Sequence, residues 1–121
     1  TYVSGIQSAK TLIDSGDAPT AIFATNDDMA SGAIAAAHQA GLRVPEDLSV
    51  VGFDDTANAS AMWPALTTVR QPIREMANSA IKLLAQSVAQ SRALLPIEVQ
   101  KLTLDYELMI RDSAGPPKQS D

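Results

Sequence analysis

The chain has 121 residues, no cysteine and one histidine; 45% of its residues are hydrophobic, 19% are charged, and the formal net charge is -5. This length allows one domain with its own core, burying roughly two thirds of the surface that the unfolded chain exposes, and the apolar content belongs to a globular rather than a disordered chain. Without cysteine there is no disulfide framework or thiolate site, one histidine cannot build a multi-histidine metal centre, and nine basic against fourteen acidic residues leave no electrostatic footprint for nucleic acid.

The sequence opens on Thr1 and enters a helical pattern at once, with Ile6, Ala9, Leu12 and Ile13 at spacings of three and four. It reads as a chain that begins mid-fold. Gly16 suits a left-handed C-cap, and Pro19 cannot continue the helix. A short apolar strand is expected over Thr20–Ala24, followed by Thr25, Asn26 or Asp27 as the cap of a helix from Met29 to Ala40. Met29, Gly32, Ala33, Ala36 and Ala40 form a small-residue stripe on that helix. Gly41 ends it, Leu42 supplies the contact past a glycine cap, and Pro45 prevents resumption. Leu48–Phe53 reads as a parallel strand covered on both faces, so that Ala21 to Phe53 makes one βαβ unit with a right-handed crossover.

Beyond Asp54-Asp55 the chain is rich in small residues as far as Ser60, then Leu66–Arg70 is β-like and Gln71-Pro72 breaks it. Ile73, Met76, Ala77, Ala80, Ile81, Leu84 and Val88 predict a long amphipathic helix whose stripe is most simply core. A last β-rich region is expected from Leu95 to Ile110, and residues 113–121 are expected to form a disordered tail. Four strands fall short of the five or six of a typical open α/β sheet, which points to a fragment of a domain.

Asn26-Asp27-Asp28 and Asp54-Asp55 each follow a predicted parallel strand. Both polar sets therefore emerge at the carboxyl edge of the sheet, where open α/β sheets bind ligands. Carboxylate and amide groups there can hydrogen-bond hydroxyls or ring nitrogens of a small molecule. Capping and turn chemistry explain Asp27 and Asp28 equally well. Magnesium held by the same pairs is a third reading, although no glycine-rich phosphate cradle or lysine accompanies them. His38 lies among alanines without a second ligand, and no serine sits in a nucleophile elbow. No catalytic residue, metal site or cofactor is therefore assigned, and the chain is not read as an enzyme. Trp63 beside Pro64 suits either a core or an interface.

The stretch Val44-Pro45-Glu46-Asp47-Leu48-Ser49-Val50-Val51-Gly52-Phe53-Asp54-Asp55 resembles the lactose/galactose repressor family of bacterial transcription regulators. The resemblance extends upstream to Pro19–Asp27, Met29-Ala30 and Gly32-Ala33, downstream to Pro64–Pro72, and closes on Glu107-Leu108 and Arg111-Asp112-Ser113. It implies an α/β, three-layer, parallel-sheet fold like that of periplasmic binding proteins, present here as a C-terminal fragment of an effector-binding core over residues 1–112. Residues 1–69 and about 96–112 would form the C-terminal subdomain. A helix over about 73–91 would cross to the N-terminal subdomain, with hinge crossings at Arg70 to Pro72 and near Leu95.

By the same resemblance Asn26, Asp54 and Gln71 would face the effector, a sugar or similar metabolite or a nucleobase. The protein would be a cytoplasmic homodimer, pairing through Asp28–Ala40 and the segment after Asp55, with His38, the alanine face and Met62-Trp63 taking part. DNA would be contacted only through an upstream helix-turn-helix, and membranes not at all. A periplasmic sugar-binding protein is the alternative of the same fold, and a magnesium-dependent phosphoryl-transfer or receiver-like domain is a third.

Overall fold

A computed structural model describes residues 1–96 and 99–117. The described chain divides into two compact units, one made of Thr1–Arg70 with the segment from Glu107, the other of Gln71–Tyr106. In the first unit, helix α1 (Tyr2–Ile13) precedes strand β1 (Ala21–Phe23), helix α2 (Asp27–Gln39), strand β2 (Ser49–Phe53) and strand β3 (Thr67–Arg70). Strand β4 (Glu107–Met109) closes it, and helix α3 (Ile73–Arg92) belongs to the second unit.

The sheet order is β1-β2-β3-β4. β1 pairs parallel to β2 with Ile22 opposite Val50, and β2 parallel to β3 with Gly52 opposite Thr68. β4 runs antiparallel to β3, so the sheet is mixed at this edge, with Arg70 opposite Glu107. The expected βαβ unit is present. Asn26 is the residue that caps α2, its side-chain oxygen accepting from Met29 N–H at 2.8 Å. At the other end Gly41 has φ 76°. There Gly41 N–H donates to the His38 carbonyl and Leu42 N–H to the Ala37 carbonyl, the paired bonds of a Schellman cap.

The small-residue stripe of α2 is largely consumed inside the chain, with Ala40 at its end exposed. Ala30, Gly32, Ala33, Ala36 and Ala37 are buried, in a core that includes Ala9, Leu48, Val50 and Leu66. That corrects the expectation that the alanine face is open to a partner; the exposed side of α2 carries Asp28, His38 and Gln39. Two glycines set the approach of α1 to α2. A Cβ on Gly5 would strike the Met29 carbonyl oxygen and lie 2.8 Å from Met29 Cα, and one on Gly32 would strike the Tyr2 carbonyl oxygen and lie 2.8 Å from Ile6 N. The two backbones touch where side chains are missing.

Two further expectations change. The β-rich region from Leu95 to Ile110 contains a strand only at Glu107–Met109 among the described residues, with Ile97 and Glu98 outside them. The tail expected to be disordered from residue 113 is instead tied down at its start. Ser113 is fully buried, its hydroxyl donating to the Val50 carbonyl at 2.6 Å and accepting from Thr67 N–H at 2.8 Å. Gly115 N–H donates to the Ser49 hydroxyl at 3.1 Å. Buried strand-end N–H and C=O groups need partners, and this segment supplies them between β2 and β3. Residues 118–121 lie outside the described part.

In the second unit α3 buries none of its residues. Ile73, Met76, Ile81, Leu84 and Val88, read from the sequence as core, are all exposed.

Adding a methyl group at the helix crossing should force α1 and α2 apart. Gly32→Ala is expected to lower stability by about 2 kcal/mol or more, because the obstruction is backbone and cannot rotate away. Urea unfolding followed by circular dichroism measures this, and an unchanged midpoint would contradict the close approach.

Candidate functional site

Because β1, β2 and β3 are parallel, their carboxyl ends share one edge of the sheet. Asn26 and the turn Asp54-Asp55 leave β1 and β2 at that edge, and both Asn26 and Asp54 are half-buried. Capping commits the Asn26 side-chain oxygen, so the group that Asn26 can offer a ligand is its amide NH2. Gln71, also half-buried, follows the last residue of β3 and opens the second unit. The structure therefore places two of the three expected residues together on one edge of one unit.

Asp54 and Asp55 both occupy positive φ, 115° and 52°, a region that side-chain-bearing residues rarely adopt. Such a backbone persists only where its surroundings over-determine it. Asp54 N–H donates to the Val69 carbonyl at 2.9 Å, which ties the turn to the end of β3. The Asp55 carboxylate, with only 6% of its side chain exposed, accepts from Arg111 Nη2 at one oxygen and from Arg70 Nε at the other, each at 2.6 Å. Arg111 Nη1 also donates to the Leu66 carbonyl at 2.8 Å, and Arg70 Nη1 pairs with Glu107 at 3.3 Å.

A second carboxylate lies beneath this turn. Asp27, the first residue of α2, is 1% exposed. It does not cap its own helix, as local chemistry would have it. One oxygen accepts from the Thr68 hydroxyl at 2.6 Å and the other from Thr56 N–H at 2.7 Å. A Cβ at Gly52 would come within 2.5 Å of an Asp27 oxygen, so glycine at the fourth position of β2 is what makes room for the carboxylate. Both buried acids are fully engaged, as buried charge requires.

The sequence alone placed Arg70 at a hinge crossing, and gave neither it nor Thr68 and Arg111 a bond to a buried carboxylate. The Arg111-Asp112-Ser113 pattern marked the place but not the ion pair, and Thr56 and Thr68 stand 29 and 41 positions from their partner Asp27.

The chain matches the periplasmic binding protein-like domain over residues 2–114. It belongs to that family. It is 44% identical over 113 residues to the HTH-type transcriptional regulator DegA of Bacillus subtilis, a match that covers 93% of this chain and 32% of DegA. Its fold is similar to that of the dimeric Lac repressor with an 11-residue C-terminal deletion, with a TM-score of 0.82 and 35% identity over 98% of this chain and 42% of the repressor chain. A LacI family transcriptional regulator from Enterococcus faecium with bound ribose is similar to the same extent, with a TM-score of 0.83 and 32% identity over 98% of this chain and 42% of that one. The chain thus spans about a third of the curated regulator it matches.

Asp55 also sets an acid limit on this edge. Burial alone pushes its carboxyl up, but the hydrogen bonds and charges of Arg111 and Arg70 outweigh burial and hold it below the ordinary carboxylate range. A carboxylate lowered in the folded state contributes stability that is fully present above its unfolded value of about 3.9 and is lost as pH falls through the lower folded value. Asp55→Asn should therefore lower the urea midpoint at about pH 7, with the difference from the unsubstituted chain shrinking as pH falls below the unfolded carboxylate value of about 3.9. A difference of constant size across that range would contradict the ion-paired state.

Proposed function

We propose that the chain is the effector-binding and dimerisation region of a ligand-responsive, DNA-binding transcriptional regulator, and that its effector is a sugar or similar small metabolite. The observation that carries this is the pairing of Asn26 and Asp54 at the carboxyl edge of adjacent parallel strands, in a chain of the periplasmic binding protein-like family. A carboxylate accepts hydrogen bonds from vicinal hydroxyls and an amide NH2 donates to them. The ribose-bound regulator of the same fold supports a sugar over a nucleobase. Gln71 is the third effector-facing residue in this reading. The similarity to DegA favours a cytoplasmic regulator over a periplasmic carrier. DNA contact falls to a helix-turn-helix in another part of the parent protein, since this acidic chain lacks the charge for it. Among the described residues no helix is long and apolar enough to cross a membrane.

The chemistry offered here is binding rather than catalysis. A magnesium or phosphoryl-transfer reading would need carboxylate oxygens that Asp27 and Asp55 have already committed to threonine, backbone and arginine donors.

The homodimer, in this proposal, uses Trp63 and the exposed side of α2. Trp63 is 85% exposed, whereas Pro64 beside it is buried and Met62 packs on the core. A rigid segment that projects a tryptophan is a suitable interface anchor. In the parent protein Trp63→Ala should weaken self-association by about tenfold or more, measured by analytical ultracentrifugation. A monomeric parent, or a dimer of unchanged affinity, would reject this surface.

For the effector site, the parent protein is to be screened by thermal shift against monosaccharides, disaccharides and purine bases, and the responder titrated by calorimetry. Hydrogen bonds to a charged acceptor predict about tenfold to a hundredfold weaker binding for Asp54→Ala. Glu46→Ala removes an exposed carboxylate ahead of the amino end of β2 and should leave affinity unchanged. Full affinity in a folded Asp54→Ala protein would remove this residue from the site.

A further inference from the structure

The geometry points to Asp55 as a positioning residue: it fixes the backbone turn that presents Asp54, and it ties that turn to both strands at which the chain leaves and re-enters the first unit. The inference rests on the reading of Asp54 as effector-facing, while the clamp itself can be tested without any effector.

Asp54 and Asp55 hold positive φ in succession, and neither is glycine. Consecutive residues in that region need restraint from outside the turn. Two backbone links flank the turn, from Asp54 N–H to the Val69 carbonyl and from Thr56 N–H to Asp27. The Asp55 side chain reaches across from this turn to other elements with two short charge-assisted bonds.

The two arginines come from different places in the chain. Arg70 is the last residue of β3, directly before the segment that opens the second unit. It also pairs with Glu107, the first residue of the returning strand β4. Arg111 lies two residues beyond the end of β4, and its fork spans the Asp55 carboxylate and the Leu66 carbonyl just ahead of β3. One carboxylate thus gathers the β2 turn, both ends of β3 and both ends of β4. A shift of either crossing strand would stretch a bond to Asp55, and through Asp55 it would act on the residue next in sequence, Asp54. Conversely, a ligand that pulls on Asp54 loads both strands. Asp27 reaches only one of the two strands: its partners are Thr68 on β3 and Thr56 in the loop after β2, and neither belongs to β4 or the segment that follows it.

Residue-resolved amide hydrogen exchange on the 121-residue chain tests the clamp. Asp55→Asn keeps the shape of the side chain and removes its charge. It should speed exchange of the Asp54 amide by about tenfold to a hundredfold. The amides of Ala24 and Val50, which bond to the Val51 and Ser113 carbonyls away from the clamp, should change far less. Arg111→Lys keeps the charge but cannot span two acceptors with a planar fork, and should loosen the same amide to a smaller extent. A rise at the Asp54 amide no larger than that at Ala24 and Val50 would make Asp55 a general stabiliser only and overturn the proposal. An unchanged Asp54 amide would show that the flanking backbone links suffice, and would also overturn it. Should Asp55→Asn fail to fold, the Arg111→Lys chain decides, with uniform or unchanged protection counting against the clamp. Localised loosening alongside full effector affinity in Asp54→Ala would instead leave the clamp standing and remove Asp54 from the site, so the two failures are distinguishable.

Discussion

A carboxylate buried under the sheet edge determines much of this architecture. Asp27 sits at the first position of α2, where the helix dipole favours negative charge, yet its hydrogen bonds go to Thr68 on β3 and Thr56 in the loop after β2. It therefore joins the helix, the third strand and the ligand-edge loop through one side chain. The space it occupies exists because Gly52 leaves the fourth position of β2 bare. A buried, fully bonded charge tolerates little displacement, since loss of a partner exposes the remaining group to its full desolvation cost. Asn26, one residue earlier, inherits that fixed position as the cap of α2.

Above this anchor the edge is built from opposite charges. Asp55 draws in Arg70 and Arg111, and both pairs are short. The sheet supplies the frame: parallel pairing brings the ends of β1, β2 and β3 to one side, and antiparallel β4 returns Glu107 beside Arg70. Asn26 and the Asp54 turn are thus held from below by Asp27 and from the side by Asp55. The proposed binding of a hydroxyl-rich ligand at this edge would need such supports, because such a ligand is discriminated by the placement of a few donors and acceptors.

Local features were legible in the sequence and long-range ones were not. The Asn26 cap, the Gly41 ending with Leu42 behind it, and the short apolar strands around them depend on neighbours within a few residues, so spacing and residue type revealed them. The bonds of Asp27 to partners 29 and 41 positions away had no local signal, and helix-start chemistry offered a sufficient but different explanation. Ser113 was assigned to a disordered tail because serine, glycine and proline dominate its surroundings, whereas the strand ends at Val50 and Thr67 require the bonds it makes. The stripe of α3 shows a further limit: periodicity identifies an apolar face, and in this unit that face is exposed. Of the three residues expected to face an effector, the sequence put Asn26 and Asp54 on one edge through strand polarity alone, but the conformation of the Asp54 turn and its arginine supports needed the folded chain.

The central claim is that the carboxyl edge of this sheet forms one wall of an effector cleft. A crystal structure of the parent regulator with its effector bound measures this most directly. The Asp54 carboxylate and the Asn26 amide nitrogen are expected within hydrogen-bond reach, about 3.2 Å or less, of polar atoms of the ligand. An effector seated at any other part of the protein, with both groups facing bulk water, would contradict it.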